Sequence, residues 1–307
     1  MTRNAVNLFA ATAAAMLMLN ALASAQTPPP MTVTVPQLSE AEFQRCVGKS
    51  NAYVELLNDS MRAIDSLRRY ASWVDMKIGP TGNERYISYG LYSVEPNGAA
   101  RAVAKAREAA GAPPPIPGLD ETARAYAASF ETLVPLLNDA AGYYARKDYT
   151  DDKTAAGKAL HAKIMPAMNA FFVARHRLEA GQEQLSAGLG RQELALIEAR
   201  EGKSRRWHLR RIGIAAKAAI EAMPHDWNAA DMGEFSRAIV ALADAARDYE
   251  EASKTFSALD GSNARDLVAK FRTLREKIEK KGASDADFQN VINEYNAVVG
   301  WMNSATR

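Results

Sequence analysis

The sequence predicts an all-α fold, an elongated antiparallel helical bundle interrupted by one tyrosine-rich loop or short hairpin. Three observations point there. A capping pair, Ser39 and Glu42, opens a run in which apolar and small residues alternate steps of three and four. Alanine-rich stretches of helical length fill most of the remaining chain. The breaks between them are glycines and prolines placed as helix ends place them, at Gly79-Pro80, Gly111, Gly202, Asp260-Gly261 and Gly282-Ala283.

The chain of 307 residues opens with Arg3, an apolar stretch from Ala5 to Leu22, and Ala23-Ser24-Ala25 ahead of Gln26. A basic n-region, an apolar h-region and a small-x-small site in that order read as a cleavable secretory signal peptide over residues 1–25. A lipoprotein signal needs a cysteine directly after cleavage, and Gln26 stands there instead. The expected mature protein is therefore periplasmic or secreted, with no acyl anchor and no transmembrane segment. Residues 26–38 carry Pro28, Pro29, Pro30 and Pro36 and read as an extended tether. Residues 39–307 form the helical domain.

The first helix is expected from Ser39 to Gly79-Pro80, on the stripe Phe43, Cys46, Ser50, Tyr53, Leu57, Ser60, Ile64, Leu67, Ala71 and Val74. Cys46 is the only cysteine, so no intramolecular disulfide can form, and it reads as a small buried apolar residue. Residues 81–98 hold Tyr86, Tyr89 and Tyr92 among glycines and are the loop or hairpin. An alanine-rich helix from Ala99 to Ala110 ends at Gly111, and the prolines at 113, 114, 115 and 117 make 111–118 a candidate subdomain boundary. Asp120 is read as the cap of a helix reaching about Tyr149, kinked at Pro135. The pattern resumes after Asp152 toward Met223, with breaks or bends at Pro166, Gly188 and Gly202. Helices over Asp231–Leu259, Ser262–Lys281 and Ser284–Ser304 complete the chain. No internal repeat is evident.

Charge excludes some functions. Losing Arg3 with the leader leaves 37 Lys and Arg against 36 acids, a net charge of +1, so no global field draws the protein to a polyanion. Nucleic acid is not an expected partner of an exported chain. The sequence holds no H-E-x-x-H, G-x-S-x-G, P-loop or C-x-x-C pattern. His161, His176, His208 and His225 are too far apart in sequence to share a helical metal site. No catalytic residue, metal ligand or cofactor is assigned on these grounds.

Two segments concentrate polar chemistry. In 141–171, Tyr143, Tyr144, Lys147, Asp148, Tyr149, Asp151, Asp152, Lys158 and His161 fall together, with Gly157 and His161 on one helical face. Such a set can wall a site for a polar ligand or a cation. The same residues also suit a helix cap at Thr150 or Asp151, interhelical tyrosines and a glycine admitting a neighbouring backbone. In 203–211, Lys203, Arg205, Arg206, Trp207, Arg210 and Arg211 make a basic run with an aromatic, suited to anionic lipid or glycan. The competing reading pairs its arginines with acids such as Glu198 and Glu201.

The pattern Tyr143-Tyr144, Lys147-Asp148-Tyr149, Asp151-Asp152, Gly157-Lys158 and Leu160-His161 resembles the YiiG-like bacterial lipoproteins and their secreted relatives. Asn51-Ala52-Tyr53, Tyr89-Gly90-Leu91-Tyr92 and, more weakly, Tyr295-Asn296 extend the resemblance. It implies a cell-envelope location and an all-helical fold, and it assigns no activity. This sequence departs from the lipoprotein members in lacking the acylated cysteine. The expected role is that of a binding or scaffolding protein for an envelope protein, glycan or small ligand. The alternatives are a metal- or ligand-dependent enzyme or sensor built on 143–161, and a peripheral binder of anionic surfaces through 203–211.

Overall fold

The computed structural model describes residues 32–35, 37–224, 232–254 and 262–305. The signal peptide and the first part of the tether lie outside the described residues, as does the Asp260-Gly261 separator. Among the described residues the secondary structure is helical, with nine α-helices and no strand. The 81–98 segment takes the loop form of the expectation, with a single 3-10 turn at Ile87–Tyr89. Two compact units divide the described chain, one ending at Leu189 and the other starting at Gly190.

In the first unit, α1 (Glu40–Asp59) starts as expected. Ser39 accepts from the Glu42 amide while the Glu42 carboxylate takes the Ser39 amide at 2.9 Å. The expected single helix is broken at Ser60 into α1 and α2 (Met61–Ala71). The apolar stripe nevertheless continues across the break: Phe43, Cys46, Tyr53, Leu57, Ser60, Ile64, Leu67 and Val74 are all buried. Helix α2 ends well before Gly79. The Ser72 hydroxyl donates to the Arg69 carbonyl and Asp75 accepts from the amides of Lys77 and Ile78, so side chains bend the chain before Pro80 acts.

Helix α3 (Pro96–Gly111) begins three residues earlier than expected, because Pro96 sits in the first turn and Glu95 caps the amides of Asn97 and Gly98. Helix α4 (Leu119–Arg146) is capped by neither side chain nor Asp120; its N-cap is Gly118. Asp120 is instead 3% exposed and bound to Lys49 at 2.7 Å, to the Tyr53 hydroxyl and to the Ile116 amide. Lys49 also donates to the Pro114 carbonyl. This buried pair stitches the proline loop 111–118 onto α1, inside one unit.

Helix α5 (Ala155–Glu201) runs through both Pro166 and Gly188, where breaks or bends were expected. An internal proline costs about 3 kcal/mol, and the flanking Ile164, Met168 and Phe171 bury enough apolar surface to offset it. Gly188 has a different reason: the Val35 side chain fills the space a Cβ would need. The described tether is accordingly docked, with Val33 and Leu38 buried and the Val33 amide donating to Gln184. The helix ends as expected at Gly202, whose φ is 65°.

The second unit is built from α6 (Arg205–Glu221), α7 (Met232–Ser253), α8 (Ser262–Glu279) and α9 (Asp285–Ala305). Leu209, Ile212, Phe235, Ile239, Leu242, Leu267, Phe271, Leu274, Val291 and Val298 form its core. Lys281, at φ 54°, takes the left-handed position after α8 in place of Gly282. Ser284 and Asp287 cap α9, and Lys277 and Ser284 together hold the Asp287 carboxyl down at about 2.

Candidate functional site

Three helix ends meet around the 143–161 segment. The end of α2 with the turn after it supplies Tyr70 and Trp73, the end of α4 supplies Tyr143 and Tyr144, and the start of α5 supplies His161. Lys147, at φ 62°, closes α4 in the left-handed conformation, and a 3-10 turn at Asp148–Thr150 leads toward α5. Asp152 accepts from the Ala156 amide and from the Tyr143 hydroxyl at 2.7 Å, so the carboxylate that caps α5 also holds α4. Those bonds, led by the Ala156 amide, keep the Asp152 carboxyl below its usual range. Desolvation and the Asp152 contact push the Tyr143 phenol up to about 12.

His161 is buried, with Nδ1 3.0 Å from the Tyr70 hydroxyl. Burial lowers its pKa, against weaker opposing help from the Met76 backbone and Asp75. The Tyr70 hydroxyl and the His161 ring share that hydrogen bond. Around this pair Tyr70, Trp73 and Tyr144 pack edge-to-face or tilted, at centroid distances of 4.9–6.4 Å. Trp73 Nε1 donates to the Gly90 carbonyl and ties the tyrosine-rich loop to this cluster.

Of the nine residues the sequence singles out here, Tyr143, Tyr144, Tyr149, Asp152 and His161 come together. Asp148 pairs instead with Arg146 at 2.7 Å, while Lys147, Asp151 and Lys158 are exposed. Gly157 admits side chains rather than a backbone: a Cβ there would lie 2.8 Å from Tyr144 Oη and 3.0 Å from Tyr143 Cε1. Among the described residues no three His, Cys, Asp or Glu side chains converge on a common point.

The basic run of the second unit is largely engaged within the fold. Trp207 is buried and its indole donates to Glu198. Arg206 pairs with Glu201, Arg210 with Glu193 and Arg211 with Asp248. Lys203 and Arg211 lie over the Trp207 ring. Arg205 forms the start of α6.

Residues 44–304 match the family described as a protein of unknown function, DUF3829. The chain belongs to that family. A curated relative, the uncharacterized protein YiiG of Escherichia coli (strain K12), is 28% identical over 275 residues, 83% of this chain and 78% of its own. No solved structure matches. For this DUF3829 chain the geometry also brings forward residues that composition and spacing passed over. An open groove of about 560 Å³ lies between α2 and the loop, lined by Arg62, Asp65, Arg68, Arg69, Tyr89 and Tyr92. Its signal was available: Arg62 and Arg69 stand seven residues apart on one helical face, opposite a loop already noted for its tyrosines.

Proposed function

We propose that this DUF3829 protein is exported to the periplasm or beyond, with cleavage before Gln26, and acts there as a binding or scaffolding protein. The observation that carries the binding role is the contrast between its two polar regions. The tyrosines, histidine and two of the carboxylates of 143–161 are engaged within the fold, Tyr143 with Asp152, His161 with Tyr70 of α2 and Asp148 with Arg146, and so serve as framework. The guanidinium and phenol groups beside them, across α2, face an open groove. Export is supported by the n-region, h-region and Ala23-Ser24-Ala25 order of the leader, and no described helix is long and apolar enough to cross a membrane.

The test expresses the full chain with a C-terminal tag in a Gram-negative host, fractionates the cells, and weighs the purified protein by mass spectrometry. A chain beginning at Gln26 in the periplasm or medium is expected. An intact chain beginning at Met1 and confined to the cytoplasm would sink the export reading.

A further inference from the structure

We propose that the groove between α2 and the 86–92 loop binds an anionic saccharide, its oxyanions on Arg62 and Arg69 and its sugar hydroxyls beside Tyr89. This rests on the binding role above and names the ligand class. The two arginines are held ready for an anion. Arg62 Nε donates to the Ser93 carbonyl and Arg69 Nε to the Tyr89 carbonyl, which fixes each planar fork through one nitrogen. Both guanidiniums lie on the Tyr92 ring, 4.0 and 4.4 Å from its centroid. The acid lining the groove, Asp65, is taken by Arg68 at 2.9 Å, and among the described residues no carboxylate pairs with Arg62 or Arg69. Preorganised guanidinium forks without a counter-ion suit the bidentate geometry of carboxylate or phosphate oxygens.

The loop supplies the second half of the site. Tyr86 and Tyr89 stack at 5.1 Å with an interplanar angle of 26°, yet they are 42% and 49% exposed. Stacked on each other, with Arg85 over Tyr86 and Arg69 over Tyr89, the two rings offer their edges rather than an open face. Tyrosine edges and hydroxyls can meet the hydroxyls of a sugar while the neighbouring arginines take its charge. The groove is open to solvent, whereas a small free ligand is ordinarily enclosed on most sides, so an extended chain is the better fit.

The experiment titrates the mature chain calorimetrically with tetragalacturonate, with its neutral methyl ester, with inorganic phosphate and with phosphatidylglycerol vesicles. Tetragalacturonate is expected to bind in a salt-sensitive way, with ester and phosphate at least about tenfold weaker. An R62Q/R69Q double variant should lose about tenfold or more, and R62K/R69K should recover only part of it, since lysine keeps the charge and lacks the fork. Y89A should weaken tetragalacturonate without creating phosphate binding. A control that removes two exposed cations of α8, K270Q/R272Q, should bind as the wild type does, and circular dichroism checks that every variant is folded. Equal binding by R62Q/R69Q and wild type overturns the groove while leaving the binding role standing. A wild-type chain that binds neither tetragalacturonate nor its ester overturns the saccharide assignment, as does a preference for vesicles that the double variant abolishes.

Discussion

Gly157 has no room for a methyl group. A Cβ there would press on the buried Tyr144 hydroxyl and on the Tyr143 ring. Alanine would gain about 1 kcal/mol of helix propensity at this position, whereas overpacking a fixed aromatic contact costs about 1–3 kcal/mol. Urea denaturation should therefore find Gly157→Ala destabilised. Tyr144→Phe removes the atom in conflict, so in combination it should rescue part of the Gly157→Ala loss. A double variant no more stable than Gly157→Ala would refute that account. His161 sets a second expectation. Its folded pKa lies below the unfolded value of about 6.5, because burial disfavours the charged ring. As pH falls through that unfolded value the unfolded chain takes up a proton the folded chain resists, so stability is full above it and declines beneath it. His208 is lowered for the same main reason, while buried Glu179 is raised and works in the opposite sense. Melting midpoints between pH 7.5 and 5.5 should fall in the wild type and fall less in His161→Gln. At this scale the sequence already marked His161, Tyr143 and Asp152 as residues worth watching. Their partners were hidden: Tyr70 lies ninety-one positions from His161, and no local spacing signals a bond of that range.

The join between α1 and α2 is an element whose cause lies in a distant helix. Arg175, 2% exposed on α5, donates to the Leu57 carbonyl at 2.9 Å, to the Ser60 hydroxyl at 2.8 Å and to the Tyr126 hydroxyl at 3.0 Å, and pairs with Glu179. The guanidinium fills the gap in the helical hydrogen-bond ladder that Ser60 opens. The heptad stripe was legible because its residues are buried on both sides of the break. The break was illegible because it carries no glycine or proline and depends on Arg175 from another helix. Asp120 follows the same logic. An aspartate beside Gly118 reads as a cap by every local rule, yet its carboxylate is turned inward to Lys49. The two roles make opposite forecasts for Asp120→Ser. Serine is as good a cap as aspartate, so a capping role would leave stability unchanged. The buried pair would be broken and Lys49 left uncompensated, at a cost of about 3–5 kcal/mol. Chemical denaturation should find the larger loss, and a change under about 1 kcal/mol would return Asp120 to the role of cap.

At the scale of the whole molecule, the all-helical architecture and most helix boundaries followed from caps, glycines and periodicity. What periodicity cannot report is which helices share a core. Among the described residues, the cluster around Phe235 and Phe271 draws its buried members from residues 209–298. Phe271→Ala, which removes a fully buried ring at a cost of about 3–5 kcal/mol, should speed amide hydrogen exchange in α6–α9 while α1–α4 keep their protection. Uniform deprotection of both units would refute that partition. The N-terminal segment was read as a tether from its prolines, and its described part is instead seated on α5 through Val33, Val35 and Leu38. Proline content reports an extended backbone, and extended chain can be pinned as readily as free. If the leader is cut before Gln26, seven residues separate the mature N-terminus from the Val33–Gln184 contact, a covalent span of at most about 25 Å. A dye, affinity tag or grafted lipid at the mature N-terminus would then stay within that distance of Gln184, and a protein so moored would hold that stretch of α5 close to its anchor.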